Sequence, residues 1–354
     1  MTDTKLRTSR MHLLFILPLV LEVQSISMNH NFTCDCSCHM ELKSANCTNS
    51  NFSRLPIALP PFTEQLDLSH NNLSAIQPRA FQTTRRLRVL FLNDNAIYML
   101  ADGAFYLLED LLRLDLSRNR ISSLSEGFSQ GLSSLRDLSL AENRLTSLNS
   151  SCFVHLDSLQ RLNLSNNAIE TIKMRAFGSM STLRQIHLAW NNITVLKNGI
   201  FSMLRNLEIL NLHHNRIDSL DVGVLSPLTS LALLDLTNNS LSTIQFKTFL
   251  SLNTYSTHIM LENNPLKRDC DLQRVLRKLC NVKRLFLDDY NEICPNLDEL
   301  DPCIGEMVTV LVITVTVVIT VVAAIVMAEK KRGKRNKEKH WTEASELSCA
   351  SQLN

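Results

Sequence analysis

The chain has 354 residues, 45% of them hydrophobic, with a formal net charge of +2 and ten cysteines. Its eight glycines fall in no GxGxxG or GxxxxGK arrangement, and HExxH, GxSxG and paired CxxC motifs are absent, so the patterns that mark phosphate-binding folds, hydrolases, zinc ribbons and redox enzymes give no support for an enzyme. The residues up to Ser25 carry net +1 and those from Glu329 net +3, which leaves −2 between them; the slight basicity sits at the ends, and neither nucleic acid nor heparin is implied as a ligand.

At the N-terminus, Lys5, Arg7 and Arg10 precede the apolar residues 11–21, and Val23 and Ser25 suit a cleavage site. Residues 1–25 therefore read as a secretory signal peptide, because eleven apolar residues fall short of the roughly 20 that a membrane span needs. Residues 26–62 hold Cys34, Cys36, Cys38 and Cys47 just ahead of a repeated region.

From residue 63 to 263 the pattern LxxLxLxxN recurs about nine times. Its asparagines stand 24 residues apart at Asn71, Asn95, Asn119, Asn143, Asn167, Asn191, Asn215 and Asn239, then slip by one to Asn264. Leu111, Leu114, Leu116 and Asn119 spell out one copy, and Leu159, Leu162, Leu164 and Asn167 another. A unit this small cannot bury its own apolar side, so copies must stack into a solenoid with a shared leucine core. Strand alternation then turns the residues between the leucines toward water. The asparagine marks the place where the chain leaves the strand, and its amide can satisfy backbone groups that a tight coil would bury unpaired. Phe81, Phe105, Phe153, Phe177, Phe201 and Phe249, with Leu225 substituting once, recur on the opposite side and read as a core spine. Both ends of a solenoid expose core leucines, which calls for caps. Cys270, Cys280, Cys294 and Cys303 follow the last repeat within residues 264–306.

This pattern resembles the extracellular leucine-rich repeat family over roughly residues 34–303. The resemblance implies an α/β solenoid, a horseshoe with a concave parallel β-sheet and a disulfide cap at each end. The family's usual pairing implies Cys34 with Cys38 and Cys36 with Cys47, where spacing alone leaves three connectivities open. The C-terminal cap departs from the family: Asn264-Pro265-Leu266 is followed by Arg268 where the first cysteine belongs. Cys280 is assigned its role, with Cys270 to Cys303 and Cys280 to Cys294 as the expected pairs. Cys152, inside a repeat, reads as a small buried hydrophobe, and Cys349 as a cytoplasmic thiol.

Residues 307–328 form a second apolar run of 22 residues without a charge. As a helix it would reach about 33 Å, enough to cross a bilayer. Its valines and threonines favour strand in water, but lipid offers the backbone no other partner, so helix is expected. Lys330, Lys331, Arg332, Lys334, Arg335, Lys337 and Lys339 follow at once. This predicts a single-pass type I protein of the plasma membrane, repeats outside, with a cytoplasmic tail at 329–354 whose basic cluster attracts anionic inner-leaflet lipid. Thr316, Thr320 and Ala324 line one face of the span, a spacing that permits close helix packing or that leaves the hydroxyls bonded to their own helix.

Eight sequons lie on the outer side: Asn31, Asn46, Asn51, Asn72, Asn149, Asn163, Asn192 and Asn238. Asn163 stands between two core leucines, so its side chain points onto the concave face. Repeats three to five place mixed charges there, including Arg113, Asp115, Asp137 and Arg161, which can pair across strands. Repeats six to nine place His187, Trp190, Ile209, His213, His214, Leu233 and Met260, an apolar and aromatic cluster of the kind that marks a partner site. A metal on His187, His213 and His214 is set aside for want of a fixed carboxylate or thiolate, and no catalytic or cofactor site is expected. The expected function is a cell-surface glycoprotein that recognises an extracellular protein without a signalling domain of its own. The alternative is an auxiliary subunit of a multi-pass membrane protein such as an ion channel.

Overall fold

The computed structural model describes residues 34–250, 252, 257–267, 272, 275, 285–288 and 315–328. Twelve short strands form one sheet in chain order, skipping only the strands of the return legs. It begins with the antiparallel pair Ser37–His39 and Ser44–Asn46 of the N-terminal cap. Parallel strands then follow one per repeat, from Gln65–Asp67, Val89–Phe91 and Arg113–Asp115 through Asp137–Ser139, Arg161–Asn163 and Gln185–His187 to Ile209–Asn211, Leu233–Asp235 and His258–Met260, closing on Leu285–Phe286. All but the two-residue last strand are three residues long, with only the middle leucine or isoleucine pointing inward, and those central side chains are all but wholly buried.

The asparagines do what their spacing predicts. In each of the nine, Nδ2 donates to three backbone carbonyls and Oδ1 accepts a backbone N–H. Asn119 is typical: it donates to the carbonyls of Leu92, Leu116 and Ser117 at 2.9, 3.0 and 3.1 Å and accepts the Ile97 N–H at 3.0 Å. One side chain thus stitches its own turn to the preceding one. At the first repeat the same group reaches the cap through the Cys47 carbonyl, 2.8 Å from Asn71 Nδ2. Cys34 bonds Cys38 and Cys36 bonds Cys47, the pairing that the family resemblance implies. Lys43 donates to Glu64 at 2.6 Å across the cap-to-repeat junction, and this bond holds the Glu64 carboxyl below its usual range.

Two expectations need correction. The return legs are not helical as an α/β solenoid implies. Among the described residues of the repeats the only helix is Phe246–Leu250, and the other legs are turns with short parallel pairs such as Ala75–Ile76 with Met99–Leu100. A 24-residue period leaves too few residues for a stable helix on the far side, so successive turn bonds such as Leu108 N to Phe105 O at 2.9 Å and Leu111 N to Leu108 O at 3.0 Å take its place. The phenylalanine spine also has a member that strict periodicity passes over. Phe128 is fully buried and meets Phe105 edge-on at 6.1 Å, while Phe81 with Phe105 and Phe177 with Phe201 stack at 5.9 and 6.2 Å. Cys152 is buried as expected, its Sγ 3.4 Å from the Leu124 carbonyl, and burial pushes its thiol pKa up.

No helix among the described residues is long and apolar enough to cross a membrane. Of the expected span, residues 315–328 are helical, about 21 Å at 1.5 Å per residue, and 307–314 lie outside the described residues. Thr320 Oγ1 donates to the Val317 carbonyl of its own helix at 2.8 Å. The leader at 1–25, Asn31, the four cysteines of the C-terminal cap and the tail at 329–354 also lie outside them.

Candidate protein-interaction face

Pairing register sorts the open face into rows. The first strand position reads Val89, Arg113, Asp137, Arg161, Gln185, Ile209 and Leu233, and the third reads Phe91, Asp115, Ser139, Asn163, His187, Asn211, Asp235 and Met260. Both rows are half-buried or exposed beside the leucine row. The character of the rows changes abruptly at Gln185.

The half before it is charged and self-satisfied. Arg161 Nη2 donates to Asp137 Oδ2 at 2.7 Å, and this bond holds the Arg161 pKa up. The Arg113 guanidinium lies 5.2 Å from the centre of the Phe91 ring, so Phe91 does not stand uncovered. At the turn after the strands, Arg118 pairs with Asp94 and with Glu142 at 3.6 and 3.1 Å. A shallow cavity of about 240 Å³ opens mainly on this half, lined by residues including Arg113, Asp137, Arg161 and Asn163 and reaching Gln185 and His187 at its edge.

Past Gln185 the first row turns apolar at Ile209 and Leu233 and the turns become aromatic, while the third row keeps Asn211 and Asp235 before Met260. Ile209, Leu233 and Met260 stand half-buried on successive strands. His187 shares their face, and burial, with His213 next to it, lowers its pKa. Trp190, His213 and His214 are not strand residues: they lie in the turns that follow the strands. Trp190 and His214 occupy the position just before the ladder asparagine, where the backbone is left-handed in every repeat, at φ 57° and 52° here. Such a φ is uncommon for a bulky side chain, and its recurrence at His70, Asp94, Arg118, Glu142, Asn166, Asn238 and Asn263 shows that the turn imposes it. Because the same position repeats along the coil, Trp190 and His214 stack, their ring centres 3.8 Å apart and 13° from parallel. His213 meets both rings edge-on, at 6.5 and 5.2 Å, and its Nδ1 is 3.2 Å from Asp235 Oδ2. Trp190 nonetheless keeps 51% of its surface exposed.

Asp235 therefore supplies the carboxylate that the sequence did not reveal. Even so, among the described residues no group of three or more His, Cys, Asp or Glu side chains could hold a metal ion. Sequence reasoning also passed over His258 and Phe286, whose rings stack at 6.2 Å and extend the apolar half to the last strand. The alternation Leu285, Phe286, Leu287 was the available signal. Of the sequons, Asn46, Asn51, Asn72 and Asn149 are exposed, whereas Asn163, Asn192 and Asn238 are half-buried.

The profile of the leucine rich repeat family matches residues 63–97, 85–145, 133–193, 181–241 and 205–266, more than half of the chain. Human leucine-rich repeat-containing G-protein coupled receptor 5 is 36% identical over 108 residues, 28% of this chain and 12% of that protein. Zebrafish (Danio rerio) leucine-rich repeat-containing protein 3B is 37% identical over 71 residues, 20% of this chain and 28% of that protein. Rat (Rattus norvegicus) amphoterin-induced protein 3 is 37% identical over 76 residues, 22% of this chain and 15% of that protein. The chain thus spans under a third of the length of each of these relatives. Among solved structures, human 5T4 (Wnt-activated inhibitory factor 1, trophoblast glycoprotein) aligns with TM-score 0.54 and 23% identity over 71% of this chain and 87% of that one. The Drosophila Toll–Spatzle complex aligns with TM-score 0.54 and 24% identity, over 69% and 41%. These two likenesses speak to the fold. That fold is an interaction scaffold and not an enzyme's, and with the profile matched over most of its repeats the chain belongs to the leucine-rich repeat family.

Proposed function

We propose that this chain is a cell-surface leucine-rich repeat glycoprotein, anchored by one span near its C-terminus, that binds an extracellular protein through the open face and adjoining turns of repeats six to nine. The observation that carries the reading is the Trp190–His214 stack beside Ile209, Leu233 and Met260. Exposed aromatic and aliphatic side chains in one contiguous patch are the usual anchors of protein interfaces, and a buried tryptophan anchor accounts for about 2 kcal/mol or more of binding. The charged half offers less, since exposed ion pairs that already satisfy one another gain little from a partner. The relative named as a receptor, and the same fold within the Toll–Spatzle complex, are in keeping with a protein ligand.

Affinity mass spectrometry on the full-length protein in its native membrane tests this, beside a chimera whose residues 307–328 are polyleucine. The expected result is an extracellular partner that survives the span exchange and is lost when Trp190 and Ile209 are changed to aspartate. A multi-pass partner lost with the polyleucine span would instead favour an auxiliary subunit. On the described part of that span, the Thr320 hydroxyl is bonded to the Val317 carbonyl of its own helix.

A further inference from the structure

Among the asparagines, Asn163 is used differently from the ladder residues. The ladder amides commit Nδ2 to three carbonyls each, whereas Asn163 uses only Oδ1, which accepts the Ser165 N–H at 3.1 Å. Among the described residues its Nδ2 makes no hydrogen bond, and the side chain lines the cavity on the charged half. Its cross-strand neighbours are the small Ser139 and the half-buried His187. Aspartate fills the same role in other repeats: Asp67, Asp115 and Asp235 accept from the residue two ahead at 2.9, 3.0 and 3.0 Å. Asn211 accepts the His213 N–H in the same way without being a sequon, and Asn46 of the cap strand accepts the Thr48 N–H and is one. Within the repeats, Asn163 is the acceptor asparagine of that row that is followed by a hydroxyl residue two positions on, Ser165 after Leu164, which makes it a sequon.

We propose that Asn163 carries an N-linked glycan whose first sugar lies in this cavity and closes the charged half of the sheet face to protein partners. The donor is a polyprenyl-diphosphate-linked oligosaccharide. The amide nitrogen attacks the anomeric carbon, the new Nδ2–C1 bond replaces the C1–O bond to the diphosphate, and the amide proton departs with the polyprenyl diphosphate leaving group. The transfer acts on the extended chain, so the fold has only to accept the product. It does so because Nδ2 is uncommitted and the Arg161–Asp137 pair offers a donor and an acceptor at the rim to sugar hydroxyls. A bulky sugar at mid-face steers a large partner toward repeats six to nine. The inference rests on the proposed extracellular placement of the repeats.

Site-resolved glycopeptide mass spectrometry of the full-length protein from secretory cells tests it, with Asn163→Asp and Ser165→Ala as two independent ways of removing the sequon. Asn163→Asp keeps the acceptor that Asp115 and Asp235 provide, and Ser165→Ala keeps the N–H donor, so both are expected to fold. A glycan on the Asn163 peptide, and loss of one glycan's mass in each variant, is the expected result. Dicarbonyl modification of Arg113 and Arg161 should then rise in Ser165→Ala relative to wild type while that of the remote Arg205 does not. A bare Asn163 beside occupied Asn46 or Asn72 overturns the inference and leaves the placement standing, whereas a chain bare at every sequon overturns both. Occupancy with unchanged reactivity at Arg113 and Arg161 overturns the seating of the sugar.

Discussion

Repeats three to five and repeats six to nine hang on the same asparagine ladder, with the same strand length, the same buried leucines and the same left-handed turn, yet they present opposite chemistry. In the first, Arg161 is bonded to Asp137, Arg118 to Glu142, and Arg113 lies over Phe91. In the second, the equivalent positions are Ile209, Leu233 and Met260, flanked by the Trp190–His214 stack. The scaffold uses the leucines and ladder asparagines and leaves the two outer strand positions and the turn residue free. Surface chemistry can therefore change from one repeat to the next at no cost to the coil.

The sharpest way to break this comparison is to remove a ladder residue from each half. Asn119→Ala and Asn215→Ala each strip the same four bonds from a buried site. Each should cost about 3 kcal/mol or more in urea unfolding followed by circular dichroism. A large loss at one position and almost none at the other would mean that the halves are not one scaffold. Next comes binding. With the partner in hand, Trp190→Ala should weaken affinity by about 2 kcal/mol, roughly 30-fold, in a surface-immobilised titration, and Arg161→Ala by far less. The reverse order would move the site to the charged half.

Smaller effects sharpen the contrast. Arg161→Ala should lower stability by only about 0–1 kcal/mol, and the difference should shrink as salt is added, because the pair with Asp137 is exposed and screened. The apolar half should show a pH dependence that the charged half lacks. Burial, with His213 nearby, holds the His187 pKa below its unfolded value of about 6.5, so the unfolded chain binds the proton more readily. Stability from this residue is fully present above about pH 6.5 and falls as pH drops toward the folded pKa. Subtracting the profile of His187→Gln isolates it, and superimposable profiles would show that the imidazole is not buried enough to matter.

Much of this was legible in the sequence because it repeats. The 24-residue interval of Asn71 to Asn239 located eight of the nine ladder residues, with Asn264 one residue further on, and the leucines fixed which side of each strand is buried. Phe128 was not legible because a period-based reading looks one residue further on, at Ser129, whereas the turn in this repeat sets the ring one position earlier, against Phe105 in the spine. The stack of Trp190 on His214 was hidden for a different reason. Their spacing of one period was visible, but not that the residue before each ladder asparagine turns left-handed and stands clear of the strand. Likewise Asp235 pairs with His213 across 22 residues of sequence, a contact that only the coil's pitch brings about. The turn-built return legs follow from period length, a constraint that the family resemblance overrode.

The claim that recognition belongs to repeats six to nine is tested most directly by placing a photo-crosslinking amino acid at Leu233 in one variant and at Asp115 in another, outward-facing strand positions in the two halves, on the full-length protein at the cell surface. The account predicts a crosslink from Leu233 to an extracellular protein, competed away by unlabelled protein but not by its Trp190→Asp form, and none from Asp115. A competed crosslink from Asp115 with Leu233 silent would contradict it.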